Sequence, residues 1–125
     1  MKRRSILKGA GGAAALLGAP RVETSGNLKI DSPPPPVDAA ELRRLADAFD
    51  ARPLLVAAST HEGEEDLIAE AHRRLRQRLP GLATIIAPRH PERGPQIAAM
   101  LREKGLRVAV RSAVQLPDAG TQIYV

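Results

Sequence analysis

The sequence predicts an α/β fold built on a Rossmann-like parallel sheet, and two observations lead to that expectation. Short apolar runs recur along the chain at residues 54–58, 83–87, 107–111 and 121–125. Segments with apolar residues at helical spacing separate these runs, and no hairpin signal joins any two of them. Strands that alternate with helices pair in parallel through right-handed crossovers. We therefore expect the first three runs to lie side by side as buried strands.

Three helices are expected between and before these strands. The first begins after Asp38, an N-cap residue with Glu41 three residues later in the capping-box position. Its apolar face is predicted to consist of Leu42, Leu45, Ala46 and Phe49.

The second helix, over residues 64–79, has an acidic start and a basic end, which both complement the helix dipole. It is expected to bury Leu67, Ile68, Ala71, Leu75 and Leu79. The third helix, over residues 94–104, is expected to end at Gly105 and to bury Ile97, Ala98 and Leu101.

Composition narrows the classes of function. The chain has 125 residues and no cysteine, which excludes disulfides, thiolate metal sites and a thiol nucleophile. A net charge of +5 favours anionic ligands such as nucleotides or phosphorylated lipid. With one Phe, one Tyr and no Trp, the chain lacks aromatic side chains for base stacking, so we expect no nucleic-acid partner.

Polar residues follow the first two predicted strands directly. Ser59, Thr60, His61 and Glu62 follow the first strand, and residues 88–93, Pro-Arg-His-Pro-Glu-Arg, follow the second. Ligands of open α/β sheets bind beyond the carboxyl ends of the strands. These two turns are therefore predicted to form one polar rim that suits an anion or sugar hydroxyls.

Arg89 is the strongest single candidate on this rim for binding an anionic ligand. A guanidinium at the end of a strand can bind phosphate through two parallel hydrogen bonds. Two structural alternatives stand beside the binding role. Arg89 could instead pair with Glu92 to stiffen its turn, and Ser59 or Thr60 could simply cap the following helix.

Other chemistries have weaker support. His61 and His90 have no compact set of His, Asp or Glu around them in the sequence, so no metal site is expected. The Gly-x-Ser-x-Gly elbow of serine hydrolases and the glycine-rich phosphate loops are absent from the sequence, and no cofactor is expected.

Residues 1–19 differ in character from the rest. Their basic start, Lys-Arg-Arg, and the weakly apolar run after it look like a twin-arginine export signal. The run is shorter than the roughly 20 apolar residues that span a bilayer. We interpret this segment as either signal-like, which leaves export open, or aberrant, arising from a displaced start codon or a broken reading frame.

Three segments together resemble one enzyme family. Residues 57–65, Ala-Ala-Ser-Thr-His-Glu-Gly-Glu-Glu, residues 88–93, Pro-Arg-His-Pro-Glu-Arg, and residues 26–31, Gly-Asn-Leu-Lys-Ile-Asp, are similar to motifs of the 3-deoxy-D-manno-octulosonic acid (Kdo) transferases, in the same order and at similar spacing. The likeness covers about residues 17–125.

The resemblance implies a fold and a reaction. It implies that residues 20–125 are part of the C-terminal, donor-nucleotide-binding domain of a two-domain GT-B type glycosyltransferase. Such enzymes transfer Kdo from CMP-Kdo to the lipid A precursor, lipid IVA, in lipopolysaccharide biosynthesis. They act in peripheral contact with the inner membrane, on its cytoplasmic face.

The resemblance also implies residue roles. Lys29 stands where the family has a lysine that stabilises the transition state, and Pro88 and Arg89 match the pair that contacts CMP. Ser59, Thr60, His61 and Glu62 would lie near the donor. The family's catalytic base, a Glu in a separate N-terminal domain, has no counterpart here, so we expect this chain to be inactive alone.

Two other interpretations remain open. The chain could be a non-catalytic nucleotide- or anion-binding α/β module, exported if residues 1–19 are a signal. It could also be the unstable remnant of a disrupted gene.

Overall fold

A computed structural model describes Gly18 and residues 33–125, and residues 37–125 form one compact unit. The predictions for residues 1–19 and for the segment that contains Lys29 lie outside the described residues, apart from an exposed turn at Gly18. In the described part of the chain, no helix is both long and apolar enough to cross a membrane.

The described chain contains three α-helices and four strands. The helices are α1 (Ala39–Phe49), α2 (Glu64–Arg76) and α3 (Gly94–Glu103). The strands are β1 (Leu54–Thr60), β2 (Ala83–Pro88), β3 (Val108–Ala109) and β4 (Ile123–Tyr124). Two single 3₁₀ turns, Pro91–Arg93 and Arg111–Ala113, follow β2 and β3.

The four strands form one parallel sheet in the order β1-β2-β4-β3, which confirms the α/β prediction. The predicted neighbours are wrong in one respect, because β4 lies between β2 and β3. Gln122, just before β4, accepts a hydrogen bond from the Thr84 N–H at 2.9 Å and donates one to the Arg107 carbonyl at 2.9 Å. Ile123 and Tyr124 are buried, which suits a central strand, whereas β3 takes the edge.

Helices cover both faces of this sheet. On one face, α2 and α3 bury a cluster formed by Ala69, Ile86, Ile97, Leu101, Leu106 and Ile123. On the other, Phe49 of α1 packs edge-on against Tyr124, with ring centroids 5.9 Å apart. The prediction for α3 is confirmed: Ile97, Ala98 and Leu101 are buried, and Gly105 follows the helix at φ +80°.

The predicted N-cap of α1 is confirmed, but the capping box is not complete. The Asp38 carboxylate accepts hydrogen bonds from the N–H groups of Ala40 and Glu41, at 2.8 and 3.1 Å. The Glu41 carboxylate contacts Arg44 and Arg111 instead of returning to the cap. On the apolar face, Leu45 and Phe49 pack against the sheet while Leu42 and Ala46 are exposed, because α1 touches the sheet mainly through its last turn.

The predicted buried face of α2 is wrong. The helix ends at Arg76, and the residues it buries are Glu65, Ala69 and His72, with Ile68 half-buried. Leu67, Ala71, Leu75 and Leu79, all predicted to be buried, are exposed. Two polar side chains can occupy the buried face because each has a partner elsewhere in the fold: Glu65 binds Thr60 and Arg93, and His72 binds Thr84.

The first strand is not buried as predicted. It forms the edge of the sheet, and Leu54 and Val56 expose 44% and 60% of their surface. These side chains lie on the α1 face, in register with Ala83 and Ile85 of β2. Helix α1 packs further along that face, against Tyr124 and Ala109, and leaves the β1 side uncovered.

Candidate functional site

The turn after β1 leaves the strand through an irregular step. Ser59 adopts φ +59°, and the β1–β2 register shifts between Ala58 and Thr60. Side chains of Ser59, His61 and Glu62 are exposed, whereas Thr60 is buried. Neither Ser59 nor Thr60 caps α2: its N-cap is Gly63 at φ +89°, and the Glu64 carboxylate accepts the His61 N–H at 2.7 Å.

Thr60 belongs to a buried polar cluster with Glu65 and Arg93, which we call the clamp. The Thr60 hydroxyl donates to Glu65 Oε1 at 2.9 Å. The Arg93 guanidinium donates to both carboxylate oxygens, at 3.0 and 3.3 Å, and Glu65 is 1% exposed. The clamp therefore ties the turn after β1 to the turn after β2.

The clamp sets the charge state of its carboxylate. Burial by itself raises the pKa of Glu65, but hydrogen bonds from Arg93, from backbone N–H and from Thr60 outweigh it and hold the pKa below its ordinary value. Glu65 is therefore an anion at neutral pH. Because its oxygens already bind Arg93 and Thr60, the carboxylate serves structure rather than proton transfer.

The turn after β2 presents Arg89 as expected. Its backbone N–H donates to the Thr60 carbonyl at 2.9 Å, which fixes the two turns against each other. Its side chain is exposed and has no hydrogen-bond or ion-pair partner within residues 33–125. The alternative pairing with Glu92 is not formed, and Glu92 lies nearer His90, 3.6 Å from Nδ1. Among the described residues, nothing competes with an anionic ligand for the Arg89 guanidinium.

A largely apolar cavity of about 350 Å³ opens beside this turn, at the carboxyl ends of β2 and β4. Its walls come from Ile85, Ile86, Ala87, Pro88, Pro91, Gly94, Tyr124 and Val125. A Cβ atom on Gly94 would lie 3.8 Å from Val125 Cγ1, so a larger residue there would narrow the cavity. A small cavity with apolar walls and few polar groups is typical of a small-molecule site.

Arg111 and Ser112 supply the polar side of the cavity, and the sequence reasoning missed both. The Tyr124 hydroxyl, and secondarily the Glu41 carboxylate, raise the pKa of Arg111, so its guanidinium is a permanent cation. A signal was present, because Arg111 follows the third strand just as Arg89 follows the second. The sequence predicts one continuous strand over residues 107–111, which places Arg111 inside the strand and not after its end.

Other candidate residues are not brought together. Within the described residues, no group of three or more His, Asp or Glu side chains could hold a metal ion. His61 and His90 are both exposed on their turns. Lys29 lies outside the described residues, so its role stays a prediction.

This arrangement defines a class of protein: an open parallel α/β domain whose ligand site lies beyond the strand ends. Sequence comparison specifies it further. The chain is 35% identical over 118 residues to the 3-deoxy-D-manno-octulosonic acid transferase of Haemophilus influenzae, covering 89% of this chain and 27% of that protein. It is 45% identical over 71 residues to a probable mitochondrial enzyme of the same name from Arabidopsis thaliana, covering 56% of this chain and 16% of that protein. No family model matches the chain.

The fold is similar to a solved structure, the C-terminal CMP-Kdo binding domain of WaaA from Acinetobacter baumannii. The TM-score is 0.58 at 30% identity, over 70% of this chain and 48% of that one. The chain is therefore related to the Kdo transferases, which are glycosyltransferases, and has the Rossmann-like fold of part of their C-terminal domain. It spans about a quarter of the length of the Haemophilus relative.

Proposed function

We propose that this chain is a donor-binding portion of a Kdo transferase, and that the cavity at the ends of β2 and β4 holds the CMP part of CMP-Kdo. The observation that supports this most directly is the juxtaposition of an apolar cavity with two cationic side chains. Arg111 lines the cavity, and Arg89, which has no side-chain partner within residues 33–125, follows Pro88 in the cavity wall. A pyrimidine ring suits the apolar walls, and a phosphate suits the guanidinium groups.

In the intact reaction of the family, Kdo would pass from CMP-Kdo to lipid IVA. The family resemblance gives Lys29 the role of stabilising negative charge in the transition state. It places Ser59, His61 and Glu62 near the donor, with Thr60 holding their turn through the clamp. Because the chain spans only about a quarter of the Haemophilus relative, we propose that it binds donor weakly and transfers no Kdo by itself.

The same proposal places the chain on the cytoplasmic face of the inner membrane, where the family acts. Fractionation of cells that produce the tagged chain tests this location. Recovery of a processed form from the periplasm would favour the signal-like interpretation of residues 1–19 and an exported binding module.

The test of the site is a calorimetric titration of CMP into the 125-residue chain and three variants. Arg89→Ala and Arg111→Ala should each weaken CMP binding by roughly 10- to 100-fold, because a hydrogen bond to a charged group contributes about 1.5–3 kcal/mol. Arg78→Ala is the matched control, since Arg78 is an exposed arginine after α2, near the opposite end of the parallel strands. It should leave the affinity for CMP unchanged.

Three results would contradict the proposal. If the Arg89→Ala variant melts at a lower temperature but binds CMP like the wild type, then Arg89 supports the turn and does not contact the ligand. If all variants, including Arg78→Ala, lose affinity equally, then binding is general electrostatic attraction to a basic chain.

A second experiment reports on catalysis. The arginine of the Haemophilus enzyme that matches Arg89 is replaced with Ala, and the variant is assayed with CMP-Kdo and lipid IVA. Turnover of these substrates by the isolated 125-residue chain would show that we have misplaced the active site.

A further inference from the structure

A second cavity, of about 260 Å³, adjoins the cavity proposed for CMP. Three of its side chains are charged, Glu41, Arg44 and Arg111, and Gln115 and Tyr124 add an amide and a hydroxyl. Arg111 and Tyr124 also line the CMP cavity, so these two residues form the boundary between the two cavities. An apolar cavity and a polar one therefore lie side by side and share one guanidinium.

Helix α1 and the turn after β3 together give the polar cavity its charge. Glu41 and Arg44 lie in the first half of α1, one turn apart, and Arg111 begins the turn after β3. The Glu41 carboxylate lies between the two guanidinium groups, 3.2 Å from Arg44 and 3.4 Å from Arg111. Because a single carboxylate faces two arginines, these three side chains retain an excess positive charge. A ligand with one carboxylate would neutralise it.

Gln115 adds a fixed hydrogen-bonding group to this cavity. Its side-chain oxygen accepts the Val110 N–H at 2.8 Å, and its amide NH₂ has no partner within residues 33–125. The Gln115 carbonyl accepts a hydrogen bond from the Tyr124 hydroxyl at 3.2 Å, and the Arg111 N–H donates to the Val125 carbonyl at 2.8 Å. The loop that carries Arg111 and Gln115 is therefore attached to the ends of both β3 and β4.

The chemistry of an acidic sugar nucleotide matches this pair of cavities. In CMP-Kdo, the anomeric carbon of the sugar carries both the carboxylate and the phosphate oxygen, so the two anionic groups are close neighbours. A guanidinium has five N–H donors in a planar fork, so one at the boundary can bind the phosphate and the carboxylate together. The sugar hydroxyls need both acceptors and donors, which Glu41 and the Gln115 amide supply.

On the basis of the proposed nucleotide site, we propose that the polar cavity binds the acidic sugar of the same donor. Arg111 contacts both the phosphate and the sugar carboxylate, and Arg44 is the second ligand of the carboxylate. Glu41 and Gln115 bind sugar hydroxyls. The excess positive charge makes the cavity selective, because a sugar without a carboxylate would leave that charge unneutralised.

The test compares two ligands of equal phosphate charge, CMP-Kdo and the methyl phosphodiester of CMP, by calorimetric titration into the 125-residue chain. The wild type should bind CMP-Kdo at least about tenfold more tightly, because only this ligand reaches the polar cavity. Arg44→Ala should weaken CMP-Kdo binding about tenfold and leave binding of the methyl ester unchanged. Arg43→Ala is the matched control and should change neither affinity, since Arg43 is an exposed arginine of the same helix outside the cavity.

Circular dichroism melting checks that the variants are folded, and Arg111→Ala separates the two proposals. If Arg111→Ala weakens binding of the methyl ester but the wild type binds both ligands equally, then the nucleotide site stands and the sugar site is wrong. The sugar site is also wrong if Arg44→Ala weakens both ligands alike, or if Arg43→Ala has the same effect as Arg44→Ala. If Arg111→Ala changes neither affinity, then the nucleotide site itself is misplaced, and the sugar site fails with it.

Discussion

Replacing Arg93 with Ala should destabilise the domain strongly at neutral pH and only weakly in acid. The substitution leaves the Glu65 carboxylate 1% exposed with Thr60 as its remaining side-chain partner. Removing one partner of a buried ion pair typically costs about 3–5 kcal/mol. We expect about 3 kcal/mol here, near the lower end of that range, because Arg93 itself is 21% exposed. For a domain of this size, such a loss lowers Tm by roughly 12–24 °C.

The pH dependence separates this mechanism from simple loss of packing. In the wild type, the pKa of Glu65 lies below its ordinary value of 4.5, so its contribution to stability is present above that pH and is lost as pH falls through the lowered pKa. Without Arg93, burial dominates and raises the pKa of Glu65, so the variant becomes less stable as pH rises above 4.5. The difference in unfolding free energy between wild type and variant should therefore be largest at pH 7 and shrink towards pH 4.

Urea denaturation followed by circular dichroism, at neutral and acid pH, measures this difference. Arg74→Ala is a suitable control, because Arg74 forms an exposed pair with Glu70 on the same helix as Glu65. Exposed pairs of this kind contribute about 0.3–0.5 kcal/mol. A second variant, Glu65→Leu with Arg93→Met, should recover most of the lost stability, since no unpaired charge remains buried. If Arg93→Ala costs the same at both pH values, then the clamp does not act through charge.

Two further predictions concern the interior and the loops. His72 is fully buried, and burial, with secondary repulsion from Arg76, Arg73 and Arg52, lowers its pKa from 6.5 to about 4. The unfolded chain binds the proton more readily, so stability should fall by up to about 3 kcal/mol as pH drops from 6.5 towards 4. His72→Leu should flatten the stability profile between pH 6.5 and 4.5, and an unchanged slope there would assign it to another group. Arg52 donates to the carbonyls of Gly81, Asp118 and Thr121 at 2.9, 3.1 and 2.7 Å. Arg52→Ala should lower the unfolding free energy by about 1–3 kcal/mol in calorimetric melts, whereas Arg43→Ala should have little effect, and equal losses would mean that these bonds add nothing.

The sequence predicted which segments are strands and helices better than it predicted their surroundings. Local signals were sufficient for the Asp38 cap and for the buried face of α3, because those depend on neighbouring residues. The buried face of α2, in contrast, depends on residues that are distant in the sequence. Glu65 can be buried because Arg93, 28 residues later, neutralises its charge. His72 can be buried because its ring forms a hydrogen bond with the Thr84 hydroxyl of β2. No apolar periodicity indicates such partners.

The order of the strands was also beyond local reasoning. Consecutive strands are usually neighbours, and that tendency predicts residues 107–111 beside β2. The position of β4 in the centre follows from the hydrogen bonds that flank Gln122 and from the burial of Ile123, which only the assembled sheet shows. For the candidate site, the sequence placed Pro88 and Arg89 at the end of β2, and their binding role stays a prediction. It did not point to Arg111, because β3 ends two residues earlier than predicted.

The hydrogen bond from the Arg89 N–H to the Thr60 carbonyl, together with the clamp, has a consequence for motion. Each strand-end turn supplies part of the other's anchoring. We therefore expect slow opening of this edge to be a single cooperative event, in which the backbone of both turns is released together. A ligand that immobilises one turn should therefore also reduce the backbone mobility of the other turn, even if it does not contact that turn.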